Sequence, residues 1–399
     1  MITKKNVLLF STLNPYPFWA GSETYWFDFV RDERVRKQFD FHIGLADSPA
    51  TRAKGAELTQ TGTRVSFYRH FNVNFLPRNI YRGLDRVRRR GARTLPWYDT
   101  IRKEKCDLVW FNAAALADLP DLAYGTSICR ELQIPYWIIL QHGSENFFVT
   151  SEHELETVRS VAAGAKRFVF IAKRNRASLE RAIAMRLENA FHSVNALPPQ
   201  KLAAPAEFAQ ASPVGRSTEA RFFSLGRFSP VDKGQQLLLE ALAGDKWRGR
   251  DWRLEFIGPT GFGREYLIKL GDYYGLGTDR IVVTPHTDDV LSAIGRNDVL
   301  LMPSLAEGMP YAMIEAMACS RPAMGTPVGG IPELIEDGRT GWLAKTIDVA
   351  DIREALERTW QDRSQWQEFG ENARSVVALS NNEETTHAEL LRALLNDFC

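Results

Sequence analysis

Two glutamates eight positions apart, Glu307 and Glu315, lie in the segment PSLAEGMPYAMIEAMA. Glu307 follows the apolar run DVLLMPS (298–304), which is typical of a buried strand, and Glu315 lies in IEAMA, which predicts the opening of a helix. The first N–H groups of a helix have no acceptor within the helix and attract anions. Carboxylates, in contrast, suit sugar hydroxyls better than phosphates. The combination therefore indicates a ligand that joins a sugar to a phosphate, such as a sugar nucleotide.

A pair of cations, Arg227 and Lys233, lies in LGRFSPVDKG, between a predicted strand and the helical pattern QQLLLEAL. An arginine offers a planar fork of donors and a lysine a mobile point charge, which together suit a diphosphate. The alternative is a solvated turn with two surface cations. Because the glutamate pair follows a neighbouring strand, we favour a diphosphate site, in which the cations offset the charge of a departing nucleoside diphosphate.

Composition sets the class of protein. The chain has 399 residues, 44% of them apolar and 25% charged, which predicts a soluble protein of two domains. A formal net charge of +1 argues against nucleic acid as a general partner. The four cysteines lack the spacing of a zinc site, so we expect reduced thiols in a cytoplasmic protein. The apolar runs are far shorter than the roughly 18–20 residues of a membrane span.

Short runs rich in Val, Ile and Phe alternate with segments of helical period, which predicts an α/β fold of parallel sheets covered by helices. The predicted strands are 6–12, 41–47, 64–69, 107–112, 136–142 and 167–172 in the first half, and 220–226, 253–259, 281–286, 298–304 and 322–327 in the second. We place the domains at 1–205 and 220–375. A linker poor in large apolar residues, 206–219, joins them, and we expect a C-terminal helix over 376–399 to pack on the first domain.

In open sheets of this kind, ligands bind outside the carboxyl ends of the strands. Several candidate residues directly follow predicted strands: the segment 14–23, His142, Arg227 and Glu307. Two sheets joined by a linker would bring these ends together at a cleft between the domains. This clustering favours an enzyme with two substrates.

The second half resembles the nucleotide-sugar-binding domain of the retaining glycosyltransferases of family 4, which have the GT-B architecture. The segments that match are FFSLGRFSPVDKGQQLLLEAL, FIGPTGFG, NDVLLMPSLAEGMPYAMIEAMACSRP and PVGGIPELIEDGRTGWLA, within 221–345. The first half is similar through NPYPFWAGSETY (14–25), LQHGSENF (141–148) and FIAKRNR (170–176). The resemblance implies two Rossmann-like, doubly wound domains facing across a cleft. The first would bind the acceptor and the second the nucleotide sugar.

The same resemblance implies a role for each matching residue. Glu315 would bind the ribose, Glu307 would contact the transferred sugar or stabilise charge at its anomeric carbon, and Arg227 and Lys233 would hold the diphosphate. The implied catalytic residues are Glu307, His142, Arg227 and Lys233. The implied donor-binding residues also include Gly21, Gly258, Gly308, Met309, Tyr311, Ala312 and Glu315. On the acceptor side lie Glu23, His142 and Glu145. A lone histidine after a strand is more often a hydrogen-bonded structural residue, but the position of His142 before Gly143, in a loop of the first domain, gives the functional interpretation at least equal weight.

Three positions depart from the family pattern. Relatives often read EGFG where this chain reads EGMP, and Pro310 has no N–H to donate. Ser320 stands where the family usually has glycine, two residues before Pro322. The glycine-rich acceptor loop is reduced to Gly21, in the sequence AGSE.

The motifs contain no evident pair of nucleophile and general base and no metal-binding DxD motif after a strand. The resemblance implies a retaining transfer of a hexosyl group with the nucleotide sugar as co-substrate. Because these motifs are lacking, we expect the transfer to be metal-independent, to need no cofactor and to pass through an oxocarbenium-like state. By the same resemblance, a UDP-sugar is the favoured donor, and the expected acceptor is a glycan or lipid-linked molecule in the synthesis of cell-surface polysaccharides or glycoconjugates. Two alternatives remain: a nucleotide-sugar epimerase on the same fold, and a non-catalytic protein that binds sugar nucleotides.

A basic stretch over 78–105 interleaves many arginines and lysines with aromatic and aliphatic residues. Such a surface can dock on anionic lipid, with about 1 kcal/mol per cation near the membrane. The alternative is a solvated helix face. We expect a cytoplasmic protein, with attachment to the inner face of the membrane as an additional hypothesis.

Overall fold

The computed structural model describes residues 3–11, 19, 21–68, 98–144, 149–199, 201–202, 214–215, 217–259, 263–277, 279–287 and 289–398. The chain forms two compact units, Met1–Ser193 with Leu391–Cys399 and Val194–Leu390. The second unit begins earlier than the predicted boundary at 205, because Leu197 already donates its N–H to the carbonyl of Asn381 (2.9 Å). Most of the predicted linker, and the basic stretch up to residue 97, lie outside the described residues.

The first unit contains a seven-stranded parallel sheet in the order β3-β2-β1-β4-β5-β6-β7. Its strands are β1 (Lys5–Ser11), β2 (Phe39–Ala46), β3 (Arg64–Tyr68), β4 (Leu108–Ala113), β5 (Tyr136–Leu140), β6 (Arg167–Phe170) and β7 (Ala190–His192). Its helices are α1 (Gly21–Arg31), α2 (Glu33–Arg36), α3 (Pro49–Gln60), α4 (Thr100–Lys103), α5 (Ala123–Glu131), α6 (Glu152–Gly164) and α7 (Lys173–Ala182), with a 3-10 helix at Leu116–Leu122.

The second unit repeats this arrangement with a six-stranded parallel sheet in the order β10-β9-β8-β11-β12-β13. Its strands are β8 (Ala220–Leu225), β9 (Trp252–Ile257), β10 (Ile281–Thr284), β11 (Val299–Met302), β12 (Ala323–Gly325) and β13 (Gly341–Leu343). Its helices are α8 (Gln235–Leu242), α9 (Asp245–Arg248), α10 (Gly263–Tyr273), α11 (Val290–Gly295), α12 (Tyr311–Ala318), α13 (Ile331–Leu334), α14 (Val349–Gln361), α15 (Trp366–Ser380) and α16 (Glu383–Asn396). A 3-10 helix spans Arg363–Gln365. The last residues of α16 group with the first unit.

The strands at the centre of each sheet are buried along their whole length. Every residue of β4 and of β11 is buried, as expected for parallel strands covered on both faces. This pattern is why the sequence predicts them as continuous apolar runs. The predicted fold class, two Rossmann-like α/β domains, is confirmed.

Both sheets reverse their strand order beside the first strand of the unit. β1 pairs with β2 on one side and β4 on the other, and β8 pairs with β9 and β11. At such a switch point the connections leave in opposite directions and open a crevice outside the carboxyl ends of the strands. Each unit therefore has one preferred place for a ligand.

The C-terminal residues 391–399 belong to the first unit. Asp397 accepts hydrogen bonds from Trp137 Nε1 (2.8 Å) and Arg167 Nη2 (2.7 Å), and the ring of Phe398 lies 5.8 Å from that of Phe39. Within the described ranges, no helix has both the length and the apolar character needed to cross a membrane.

Candidate active site

Two glycines bring the ends of β8 and β9 together. Gly226 and Gly258 follow these strands with φ values of +139° and +144°, which favour glycine. A Cβ on Gly258 would lie 2.3 Å from the carbonyl oxygen of Gly226, so no larger residue fits there. This close approach places Arg227 directly at the carboxyl edge of the second sheet. Gly258 thus shapes the backbone of the site.

The loop after Gly226 is tied to the loop after β11. Arg227 forms an ion pair with Asp232. The backbone carbonyl of Asp232 accepts hydrogen bonds from the N–H groups of Leu305 (2.8 Å) and Ala306 (3.2 Å). The two loops that flank the switch point of the second sheet therefore form one structure, with the Arg227 guanidinium positioned by a carboxylate.

Lys233 and Glu307 meet in this structure. The Lys233 ammonium lies 2.6 Å from Glu307 Oε1, which also accepts a hydrogen bond from Ser304 Oγ (2.7 Å). Glu307 is only 3% exposed, and a charge-assisted hydrogen bond of this length is among the stronger polar contacts in a protein. Gly234, at φ +60°, makes the approach possible, because a Cβ there would lie 2.2 Å from the carbonyl oxygen of Pro303.

The segment after Glu307 leads directly into helix α12. Pro310 is its N-cap, and Tyr311 and Ala312 are its first helical residues. The first N–H groups of a helix have no acceptor within the helix and carry partial positive charge. Because Pro310 lacks an N–H, one of the usual donors at this end is missing. Gly308 and Met309 connect this helix end to the Lys233–Glu307 pair.

Glu315 lies one turn further along α12. Burial raises the pKa of its carboxyl group, and Lys201, 3.7 Å away, works in the opposite direction. Its contact with Lys201 joins the helix to the first residues of the second unit. Among the described ion pairs, Glu315 is not joined to Lys233 or Arg227, so its predicted place beside the ribose stays a prediction.

Ser320 adopts the backbone conformation that the family's glycine suggests. Its φ is +55°, in the left-handed region, and the next residue, Arg321, is buried. The Arg321 guanidinium donates to the carbonyls of Asn297 (2.7 Å), Gly295 (2.9 Å) and Cys319 (3.1 Å). Burial lowers the pKa of Arg321. The departure from the family pattern therefore keeps the turn after α12 and adds strain at Ser320.

In the first unit, Glu23 lies at the switch point but is buried. The carboxylate is 2% exposed in total and accepts from Ser11 Oγ (2.8 Å), Trp26 Nε1 (2.7 Å) and Asn112 Nδ2 (3.2 Å). Gln141 extends this network by donating to Asn112 Oδ1 (2.8 Å). Burial, opposed by these hydrogen bonds, raises the pKa of Glu23 to about 7. Glu23 is predicted to lie on the acceptor side, but its observed hydrogen-bond partners are side chains of the first unit.

The other predicted residues of the first unit are placed as follows. His142 follows β5 and is half-buried, and Gly143 beside it packs so closely on Asn175 that a Cβ would lie 2.3 Å from Asn175 Oδ1. Gly21 is the exposed first residue of α1. Glu145 lies outside the described residues. The roles of all three stay predictions.

The sequence reasoning missed three side chains that position the site: Asp232, Ser304 and Lys201. Asp232 precedes Lys233, and Ser304 ends the predicted strand that precedes Glu307. Their proximity in sequence to predicted site residues could therefore have identified them. Lys201 is 114 positions away from Glu315, and no local pattern marks it.

The second unit is similar to known glycosyltransferases. Residues 219–362 match the family model of group 1 glycosyl transferases. N-acetyl-alpha-D-glucosaminyl L-malate synthase of Bacillus anthracis is 31% identical over 121 residues, which cover 29% of this chain and 32% of that protein. D-inositol 3-phosphate glycosyltransferase of Gordonia bronchialis is 32% identical over 195 residues, which cover 47% of this chain and 42% of that protein. The chain thus spans less than half the length of these curated relatives.

The likeness in fold extends over nearly the whole chain. The crystal structure of HepE from Anabaena in complex with UDP aligns with a TM-score of 0.72 at 18% identity, covering 98% of this chain and 100% of that one. The fold is therefore that of the GT-B glycosyltransferases. The match to the group 1 glycosyl transferases lies within the second unit. Membership of family 4 in particular stays a prediction.

Proposed function

We propose that this protein is a retaining glycosyltransferase that moves a sugar from a nucleotide sugar to a glycan or lipid-linked acceptor in the synthesis of cell-surface polysaccharides or glycoconjugates. The observation that carries the proposal is the Lys233–Glu307 pair at the switch point of the second sheet, next to the N-terminus of α12. Two cations and a helix end suit a diphosphate, and a buried carboxylate beside them suits a sugar.

The donor in this proposal is a uridine nucleotide sugar. The support is the similarity in fold to HepE, whose structure contains UDP. The second unit would hold the donor, with the diphosphate on Arg227 and Lys233 and near the N–H groups of Tyr311 and Ala312. Glu315, further along α12, would accept hydrogen bonds from the ribose hydroxyls. Since the two cations supply the positive charge, we propose that the reaction needs no metal ion.

The cations are positioned before the donor binds. Arg227 is paired with Asp232, and Lys233 is paired with Glu307. A diphosphate that binds Lys233 competes with Glu307 for the ammonium group and weakens the ion pair. The Glu307 carboxylate then becomes available to the sugar. There it can accept a hydrogen bond from a hydroxyl or offset positive charge at the anomeric carbon in an oxocarbenium-like transition state.

The transfer itself exchanges one C–O bond for another on the same face of the sugar. The bond from the anomeric carbon to the diphosphate oxygen breaks, and Arg227 and Lys233 offset the negative charge that develops there. The acceptor hydroxyl forms the new bond, and its proton passes to the leaving phosphate oxygen. This path needs no separate general base.

The experiment that tests the proposal has two stages. First, UDP-, ADP- and GDP-sugars are screened for an increase in melting temperature, which a donor that binds the folded protein produces by mass action. Second, turnover of the stabilising donor is measured with and without glycan and lipid-linked acceptors. We expect Glu307→Ala to lose about two to three orders of magnitude in turnover, a loss of the size seen when one pre-placed electrostatic partner of the transition state, such as an oxyanion-hole donor, is removed from an enzyme.

Glu265→Ala is the matched control, because Glu265 also forms an ion pair with a lysine, Lys269, but on the exposed face of α10. It should retain full turnover. A wild-type protein that binds donors but never transfers or hydrolyses them would instead be a non-catalytic binding protein. Conversion of the donor into its epimer without acceptor would identify an epimerase.

A further inference from the structure

Three successive carbonyl groups after Glu307 are each held by a donor of the protein. The Gly308 oxygen accepts from the N–H of Gly330 (2.6 Å), and the Pro310 oxygen accepts from the first turn of α12. Between them, the Met309 oxygen accepts from Asn195 Nδ2 (2.5 Å), a side chain 114 positions away in the sequence. The partial negative charges of this loop are therefore directed to protein donors.

The contact between Asn195 and the Met309 carbonyl is important because a proline, Pro310, follows Met309. An ordinary peptide unit offers an N–H as well as a carbonyl, but the unit before a proline offers only the carbonyl. At the N-terminus of α12, where the proposed function places a diphosphate, an unrestrained carbonyl would turn negative charge toward an anion. Asn195 supplies the N–H group that holds the Met309 carbonyl oxygen in place.

Asn195 is itself fixed by buried contacts. It is 4% exposed, and its backbone carbonyl accepts from Asn381 Nδ2 (2.7 Å), while the Asn381 carbonyl accepts from Leu197 N–H (2.9 Å). Only the amide NH₂ of Asn195 can bind the Met309 carbonyl, so the orientation of the amide is determined. Its Oδ1 is buried and has no hydrogen-bond partner among the described residues. An aliphatic side chain would avoid that unsatisfied oxygen, so the N–H must be what the site requires.

We infer that Asn195 is a positioning residue of the donor site, which keeps the Met309 carbonyl turned away from the diphosphate of the nucleotide sugar. The inference rests on the proposed function and adds to it a residue outside the matched segment 219–362. It also assigns a function to the first residues of the second unit, which link Asn381 at the end of α15 to the donor loop.

Two substitutions remove the N–H group that binds the Met309 carbonyl, each in a different way. Asn195→Leu keeps the approximate volume without any polar group. Asn195→Asp keeps the shape but replaces the N–H by an oxygen that repels the Met309 carbonyl. We expect both variants to bind UDP about tenfold more weakly in isothermal titration, which corresponds to about 1.4 kcal/mol. The KM for the nucleotide sugar should rise by the same factor, with a smaller change in kcat.

Asn297→Leu is the matched control. Asn297 is in the same unit and buried, and its Nδ2 donates to the Ala293 carbonyl (2.9 Å) and to Glu255 (2.8 Å). Its Oδ1 likewise has no partner within the described part of the chain. Asn297→Leu should lower the melting temperature and leave the dissociation constant of UDP unchanged.

The outcomes separate the inference from the proposed function. If the wild-type protein binds none of UDP, ADP and GDP, the proposed function is wrong. If the wild-type protein binds one of them and both Asn195 variants bind it equally well, the inference is wrong and the proposed function stands. Equal weakening in Asn297→Leu would also overturn it, because the effect would then be general destabilisation. Should Asn195→Leu fail to fold, the isosteric Asn195→Asp decides.

Discussion

Removing the charge of Glu23 should change how the stability of the protein depends on pH. In an unfolded chain the pKa of a glutamate is about 4.5, whereas burial raises that of Glu23 to about 7. Between these values the folded protein binds one more proton than the unfolded chain, so its stability falls as the pH rises. Each pKa unit corresponds to about 1.4 kcal/mol, so ionised Glu23 costs about 3 kcal/mol above pH 7 and nothing below pH 4.5.

Glu23→Gln has no such cost and keeps a side chain of the same size. The free energy of unfolding is measured by urea titration of tryptophan fluorescence between pH 5 and pH 8. We expect the stability of the variant relative to the wild-type protein to rise by about 2 to 3 kcal/mol over this range. A difference that does not change with pH would refute the reasoning.

Glu180→Gln is a control of opposite sign in the same unit. Although burial opposes ionisation, the Leu187 N–H and the guanidinium groups of Arg176 and Arg186 keep the pKa of Glu180 below its ordinary value. Its contribution to stability is present above the unfolded pKa and is lost as the pH falls through the folded pKa. Relative to the wild-type protein, the stability of the Glu180 variant should therefore stay constant between pH 5 and pH 8, and the loss should become smaller only as the pH falls below the ordinary pKa of about 4.5.

Three further predictions concern the turn after α12, metal ions and the membrane. Ser320→Gly should stabilise the protein by about 1 kcal/mol, because the φ of Ser320 is +55°. Gly329→Ala should destabilise the protein by more than that, since the φ of Gly329 is +53° and the new Cβ would lie 2.4 Å from the Glu307 carbonyl oxygen. Melting curves that rank the two variants the other way would contradict this. Chelators should leave sugar transfer unchanged, and a strict requirement for a divalent cation in the transfer assay would contradict the metal-free proposal. If the basic stretch docks on lipid, neutralising residues 86–90 should release the protein from vesicles that contain anionic lipid, and unchanged co-sedimentation would favour a solvated face.

Most of the fold follows from local patterns, because central parallel strands are buried on both faces and appear as apolar runs. Among the described strands of the two parallel sheets, β7 and β13 were not predicted; both lie at sheet edges and have three residues each. The residues of β7, Ala190–His192, are only partly buried, so they carry no apolar run that distinguishes a strand from a loop. Their place in the sheet depends on pairing with a neighbouring strand, which the local sequence does not record.

The site was predictable where chemistry and local spacing coincide. Lys233 and Glu307 each follow a strand of the same sheet, and adjacent parallel strands bring their carboxyl ends together. The contacts that depend on distant segments were not predictable, such as that of Asn195 with Met309. Glu23 shows the same limit: its position after β1 suggested a residue facing the acceptor, but Trp26 and Asn112 enclose its carboxylate.

The most direct test of the central claim is the dissociation constant of UDP for the wild-type protein and for Arg227→Ala and Lys233→Ala. Lys269→Ala serves as the control, because Lys269 is an exposed lysine with a glutamate partner. We predict that each of the first two variants binds UDP at least about tenfold more weakly while the control is unchanged, since each loses a charge-assisted hydrogen bond to the diphosphate. Equal affinity in all four proteins would contradict the assignment of this site.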